Sequence, residues 1–134
     1  MYLVDTNIFL EILLEQERAD ECETLVERLR EGDLTALVSS FTLHSIEVIM
    51  ERTGRHDLLL EFLKDVDSAK GLRRFDTTTL DELDALRLGK SVKLDFDDSI
   101  QYFICETHNL KIISFDRHFD NKDIMRIEPI DVLE

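Results

Sequence analysis

The 134-residue chain has no tryptophan, one proline, four glycines and two cysteines. So little proline and glycine excludes a collagen-like or low-complexity chain, and a hydrophobic fraction of 43% suffices for a packed core. Long apolar runs are also missing. The longest stretch without charge, Leu34 to Ile46, is too short and too rich in Ser and Thr to cross a hydrocarbon layer, so no membrane association is expected. Asp5 and Glu11 interrupt the first apolar residues, and no basic segment precedes them, which predicts a cytoplasmic rather than a secreted protein. Cys22 and Cys105 lack the short spacing of a zinc or redox motif; free thiols are the expectation and a disulfide between them the alternative.

Basic residues are scarce as well. Sixteen Lys and Arg stand against 30 Asp and Glu, a formal charge of −14. A protein that holds nucleic acid by neutralising phosphates alone is normally basic. A nucleic-acid substrate would therefore need bound divalent cations or a small basic patch to offset these carboxylates, although most of the acids serve as solvated helix surface.

The length argues for one domain over residues 1–134. Tyr2-Leu3-Val4 reads as a strand, followed by a turn at Asp5-Thr6-Asn7 and a helix carrying Ile8, Phe9, Ile12 and Leu13. A helix from Arg18 to Arg30 is stopped by Gly32, and Ala36-Leu37-Val38 forms a buried strand. Helices follow from Thr42 to near Gly54 and from His56 to Asp67, the latter turning Leu59, Leu60, Phe62 and Leu63 inward. Leu72 to Phe75 is a strand. A helix capped by Thr77 to Thr79 is expected to reach Leu88 and close at Gly89. Asp97 to His108 is helical, Lys111 to Ser114 a strand, Met125 to Ile127 an edge strand and Asp131 to Glu134 a helical turn. Strands alternating with helices predict an α/β domain, a mainly parallel central sheet flanked by helices. In such a sheet the residues that follow each strand gather along one edge, where ligands bind.

Asp5 and Asp116 each follow a strand, and Asp98 opens the helix that leads into the second of these strands. Singly, each could cap a helix or initiate a turn. Glu47 occupies the i+4 place in a stripe made by Leu43, Ile46 and Met50, which turns a carboxylate inward. Such a group requires a cation: Arg52 or Lys93 in a structural role, or a metal shared with the three Asp residues. Oxygen ligands without a His or Cys cluster favour Mg2+ or Mn2+, whose chemistry suits phosphodiester hydrolysis. His44, His56, His108 and His118 are scattered and read as surface or core residues.

These segments carry a resemblance: Asp5-Thr6-Asn7-Ile8-Phe9, Glu47 in a Ser/Thr-opened helix, Leu94-Asp95-Phe96-Asp97-Asp98-Ser99, and Ser114-Phe115-Asp116 with Phe119. In order and spacing the chain resembles a PIN domain, and in size the single-domain VapC toxins of toxin–antitoxin pairs. The resemblance implies an Mg2+- or Mn2+-dependent endoribonuclease with Asp5, Glu47, Asp98 and Asp116 as metal-binding catalytic residues. It also implies a homodimer and a cognate antitoxin that blocks the cleft. Asp98 is selected from its acidic run by its distance from the strand before Asp116, with Asp97 the alternative. Phe115 stands where the family carries a small polar residue, and the Ser114 hydroxyl is expected to hold a metal water or the Asp116 carboxylate.

For the RNA, the group Arg87, Lys90 and Lys93 is the expected phosphate contact, ahead of Arg52 and Arg55 or of Lys70, Arg73 and Arg74. Tyr102, at i+4 from Asp98, is placed to stack on a base or to pack against a partner subunit. The competing functions are an inactive PIN-like interaction module and a PIN nuclease acting in RNA processing or on DNA.

Overall fold

The computed structural model describes residues 1–133; the final residue of the turn expected at Asp131 to Glu134 lies outside them. Five strands are present among the described residues: β1 (Tyr2–Val4), β2 (Ala36–Ser39), β3 (Leu72–Phe75), β4 (Lys111–Ile113) and β5 (Arg126–Ile127). All pair in parallel, in the order β3-β2-β1-β4-β5. The chain winds outward from β1 through β2 to β3, and then from β4 to β5 on the other side. The order therefore reverses beside β1, the point at which an open parallel sheet leaves a crevice beyond its strand ends.

Alternation along the central strands builds two cores. Leu3 and Ile112 face one side, Val4 and Ile113 the other, and all four are at most 1% exposed. The Val4 side is covered by helices α1 (Thr6–Leu13), α2 (Ala19–Glu31), α3 (Ser40–Arg52) and α4 (His56–Ser68), with Ile8, Leu25, Leu29, Ile46, Met50 and Phe62 as the apolar floor. The Leu3 side is covered by α5 (Thr79–Val92) and α6 (Phe96–His108) through Ala85, Ile100 and Ile104. A short α7 (Pro129–Leu133) follows β5. Cys22 and Cys105 are buried in opposite cores as free thiols; burial pushes Cys22 up to about 12 and Cys105 further up, so neither is a ready nucleophile.

Local chemistry explains most of the boundaries. Gly32 ends α2 at φ 89°, Asn109 ends α6 in the left-handed region, and Thr78 with Asp81 forms a reciprocal cap at the start of α5. Two expectations fail for tertiary reasons. The α5 helix runs through Gly89 to Val92, because this glycine is a contact point and not a stop: a Cβ there would lie 1.8 Å from Ser99 Oγ. Leu60 points outward at 48% exposure, while Phe62 meets Phe9 edge-on at 5.4 Å.

Candidate metal centre

The C-terminal strand edge carries a buried polar network around Asp5. Asp5 ends β1, caps α1 and is 7% exposed. Its Oδ1 accepts from the Thr6 amide at 2.8 Å and from Gln101 Nε2 at 3.1 Å. Its Oδ2 accepts from the Ser114 hydroxyl at 2.6 Å and from Asn7 Nδ2 at 3.3 Å. Burial nevertheless raises the Asp5 carboxyl; bonds from Ser114, Gln101 and Thr6 oppose the shift and the charge of Asp116 adds to it. Ser114 thus holds Asp5 rather than the Asp116 carboxylate, and it accepts from the Asp116 amide at 2.9 Å, which fixes the chain direction after β4.

Gln101 joins the network from α6. It donates to Asp5 and to Thr42 Oγ1 at 3.0 Å and accepts from Ser39 Oγ at 2.8 Å, tying the ends of β1 and β2 to α6 at 2% exposure. Sequence reasoning missed it. The available signal was an amide on the apolar face of a helix, three residues after Asp98.

Asp98 and Asp116 form the open part of the site. Asp98 sits in the first turn of α6, and Asp116 caps the 3₁₀ turn Arg117–Phe119 by accepting from the His118 amide at 2.9 Å. His118 lies between them, its Nδ1 3.1 Å from Asp116 Oδ1 and 3.5 Å from Asp98 Oδ2. One ligand atom from each of Asp98, Asp116 and His118 falls within 4.8 Å of the others. Partial burial and the charges of Asp116 and Asp5 raise the Asp98 carboxyl to about 6, with His118 pulling the other way. No Lys or Arg among the described residues pairs with either carboxylate, and the repulsion that His118 does not offset is left for a cation to relieve. The two carboxylates fit a hard divalent ion.

Of the four acids selected from the sequence, the structure brings Asp5, Asp98 and Asp116 to one edge. Neither Asp5, whose two oxygens are held by Thr6, Gln101, Ser114 and Asn7, nor Glu47 is in the ligand group. The Glu47 side chain is 32% exposed and its Oε1 meets His44 Nδ1 at 3.0 Å, so the expected inward turn is partial and its partner is neither Arg52 nor Lys93. Asp97 lines a different groove with Phe41, His44 and Phe96, away from Asp116. The second correction concerns Tyr102, which is 1% exposed within its own core and reaches neither a base nor another subunit. His118, expected as a surface or core residue, is on the surface, two residues after Asp116 on a turn anchored by fully buried Phe119, and its ring lies against both Asp98 and Asp116. Phe115 causes no conflict with the acids, because its ring packs toward the Val4 core and the Arg18 guanidinium covers it at 4.0 Å.

Residues 2–125 match the PIN domain family. The chain belongs to that family. No curated protein matches it in sequence. Among solved structures it is similar to a toxin–antitoxin complex from Klebsiella pneumoniae, at 18% identity and TM-score 0.69 over 96% of this chain and 98% of that one. It is similar to VapC20 of Mycobacterium tuberculosis, a sarcin-ricin loop cleaving toxin, at 15% identity and TM-score 0.77 over 96% and 100%. A third similarity is to VapBC2 of Rickettsia felis bound to a promoter DNA fragment, at 14% identity and TM-score 0.71 over 95% and 97%. At these identities the likeness is one of fold. The PIN fold thus extends over nearly the whole chain, and no described helix is long and apolar enough to cross a membrane.

Proposed function

We propose that this PIN domain is a divalent-metal-dependent endoribonuclease, the toxin of a toxin–antitoxin pair. The observation that carries the reading is the juxtaposition of Asp98, whose carboxyl is raised by partial burial and by the charges of Asp116 and Asp5, with Asp116 at the switch point of a parallel sheet. Family membership supports nuclease chemistry, and the toxins among the fold neighbours support the biological role.

Asp98 and Asp116 would hold an Mg2+ or Mn2+ ion, and Asp5 adds charge from a position set by its four donors. Glu47 completes the acid set only by releasing His44. When bound, the ion supplies electrophilic polarisation of a phosphoryl group. The network from Gln101 and Ser114 prevents Asp5 from turning away, and the first turn of α6 places Asp98 beside Asp116. Arg87, Lys90 and Lys93 are without acidic partners among the described residues, whereas Arg74 and Arg55 pair with Asp76 and Asp57. All three members of the first group are free, against Arg52 alone in the second cluster and Lys70 and Arg73 in the third, and the chain runs from that group directly to Asp98, so it is the one assigned to hold the strand by its phosphates.

The antitoxin is an amphipathic partner. A groove of about 330 Å3 has an apolar floor including Phe9, Ile12 and Phe62 and a rim of Glu23, Glu27, Glu61 and Asp65 around Arg30, which pairs with Glu27 and Asp65; the rim is net acidic and complements a helix with basic flanks. A homodimer belongs to the same reading.

Purified protein is expected to cleave single-stranded or structured RNA with Mg2+ or Mn2+ and to leave matched DNA oligonucleotides intact. Asp98→Asn and Asp116→Asn should each lower cleavage about a hundredfold or more with unchanged circular dichroism. Activity retained in both variants would reject the metal centre, and DNA cut as fast as RNA would reject the substrate.

A further inference from the structure

His118 is the only nitrogen donor in the Asp98–Asp116 group. Its turn is held by the Asp116 cap at one end and by buried Phe119 at the other, so the two side chains leave one short, anchored segment. The ring is 72% exposed and can therefore reorient at little packing cost. Ligand atoms about 2.1 Å from an octahedral ion are about 3 Å apart when adjacent and about 4.2 Å apart when opposite. The 3.1 Å separation between His118 Nδ1 and Asp116 Oδ1 is that of adjacent ligands, and the 3.5 Å one to Asp98 Oδ2 lies about 0.5 Å beyond it, within reach of a small rotation of the exposed ring.

We propose that His118 is a ligand of the ion held by Asp98 and Asp116, and that it makes the site prefer Mn2+ to Mg2+. An imidazole nitrogen is a borderline donor that first-row transition ions accept readily, whereas Mg2+ takes oxygen and keeps its water. Two carboxylates alone would discriminate little between the ions. The inference rests on the proposed metal centre but not on the identity of the nucleic acid. The bland role, an exposed ion pair with the two acids, would contribute little to anything measurable.

Metal binding separates the roles without any cleavage assay. In pulsed electron paramagnetic resonance, Mn2+ bound to the full-length protein should show nitrogen hyperfine coupling that vanishes in His118→Ala. Calorimetry should show Mn2+ binding weakened at least about tenfold in that variant and Mg2+ binding changed less than about threefold. Asp98→Asn should lose both ions. If Asp98→Asn loses both ions while His118→Ala keeps its Mn2+ affinity and the wild type shows no nitrogen coupling, His118 is not a ligand and the metal centre stands. Equal weakening for both ions in His118→Ala would overturn the preference. A wild-type protein that binds neither ion would remove the ligand role and the centre together.

Discussion

A carboxyl raised to about 6 makes Asp98 a measurable liability when no dication is bound. Its unfolded value is near 3.8, so between those values the folded chain holds a proton that the unfolded chain has released. The folded state is therefore favoured at the acid end of this window, and the advantage disappears as pH rises through about 6. After allowance for solvent screening this is worth roughly 1–2 kcal/mol, a few degrees in Tm for a chain of this size. With chelator present, thermal unfolding should occur at higher temperature at pH 5 than at pH 7.5, and Asp98→Asn should reduce that difference and raise Tm at pH 7.5. A flat wild-type profile would show that Asp98 is better solvated than its surroundings imply. Asp5 and Asp116 were legible as residues because each follows an apolar strand run. Gln101 and His118 were not, because their value lies in atoms contributed by segments far along the chain.

Among the elements, the contact between α5 and α6 decides where Asp98 sits. Gly89 admits Ser99 so closely that an added Cβ would lie 2.6 Å from the Ser99 Cβ, which no rotation of the hydroxyl relieves. Gly89→Ala would gain up to about 1 kcal/mol of helix propensity. Overpacking at a fixed contact costs about 1–3 kcal/mol, so the net effect is destabilising. Chemical denaturation should give a lower midpoint for Gly89→Ala, with Ser99→Gly in the same chain restoring most of it and Ser99→Ala restoring little. A neutral or stabilising Gly89→Ala would mean that the helices separate freely. In the sequence this glycine resembles a helix stop, since local preference carries no record of a neighbouring helix. By contrast, Gly32 and Asn109 were readable because the left-handed conformation at a helix end is a local requirement.

For the molecule as a whole, the charge of −14 is a background repulsion that any salt screens, while the centre at Asp98 and Asp116 responds to dications specifically. Millimolar MgCl2 or MnCl2 should raise Tm above the value in NaCl of equal ionic strength, chelator should reverse the rise, and Asp116→Asn should lose the excess. Equal responses to both salts would attribute the effect to screening alone. The sequence by itself determined the alternation of strands and helices, the parallel sheet and the acids that end its strands, because periodicity, caps and apolar runs act over a few neighbouring residues. Only the tertiary structure decided that Asp98 and not Asp97 stands beside Asp116, that His118 lies against both, and that Gln101 donates to Asp5. Those outcomes depend on helix rotation and on the separation of packed elements, which are set by contacts between residues far apart in the chain, 96 positions in the case of Gln101 and Asp5.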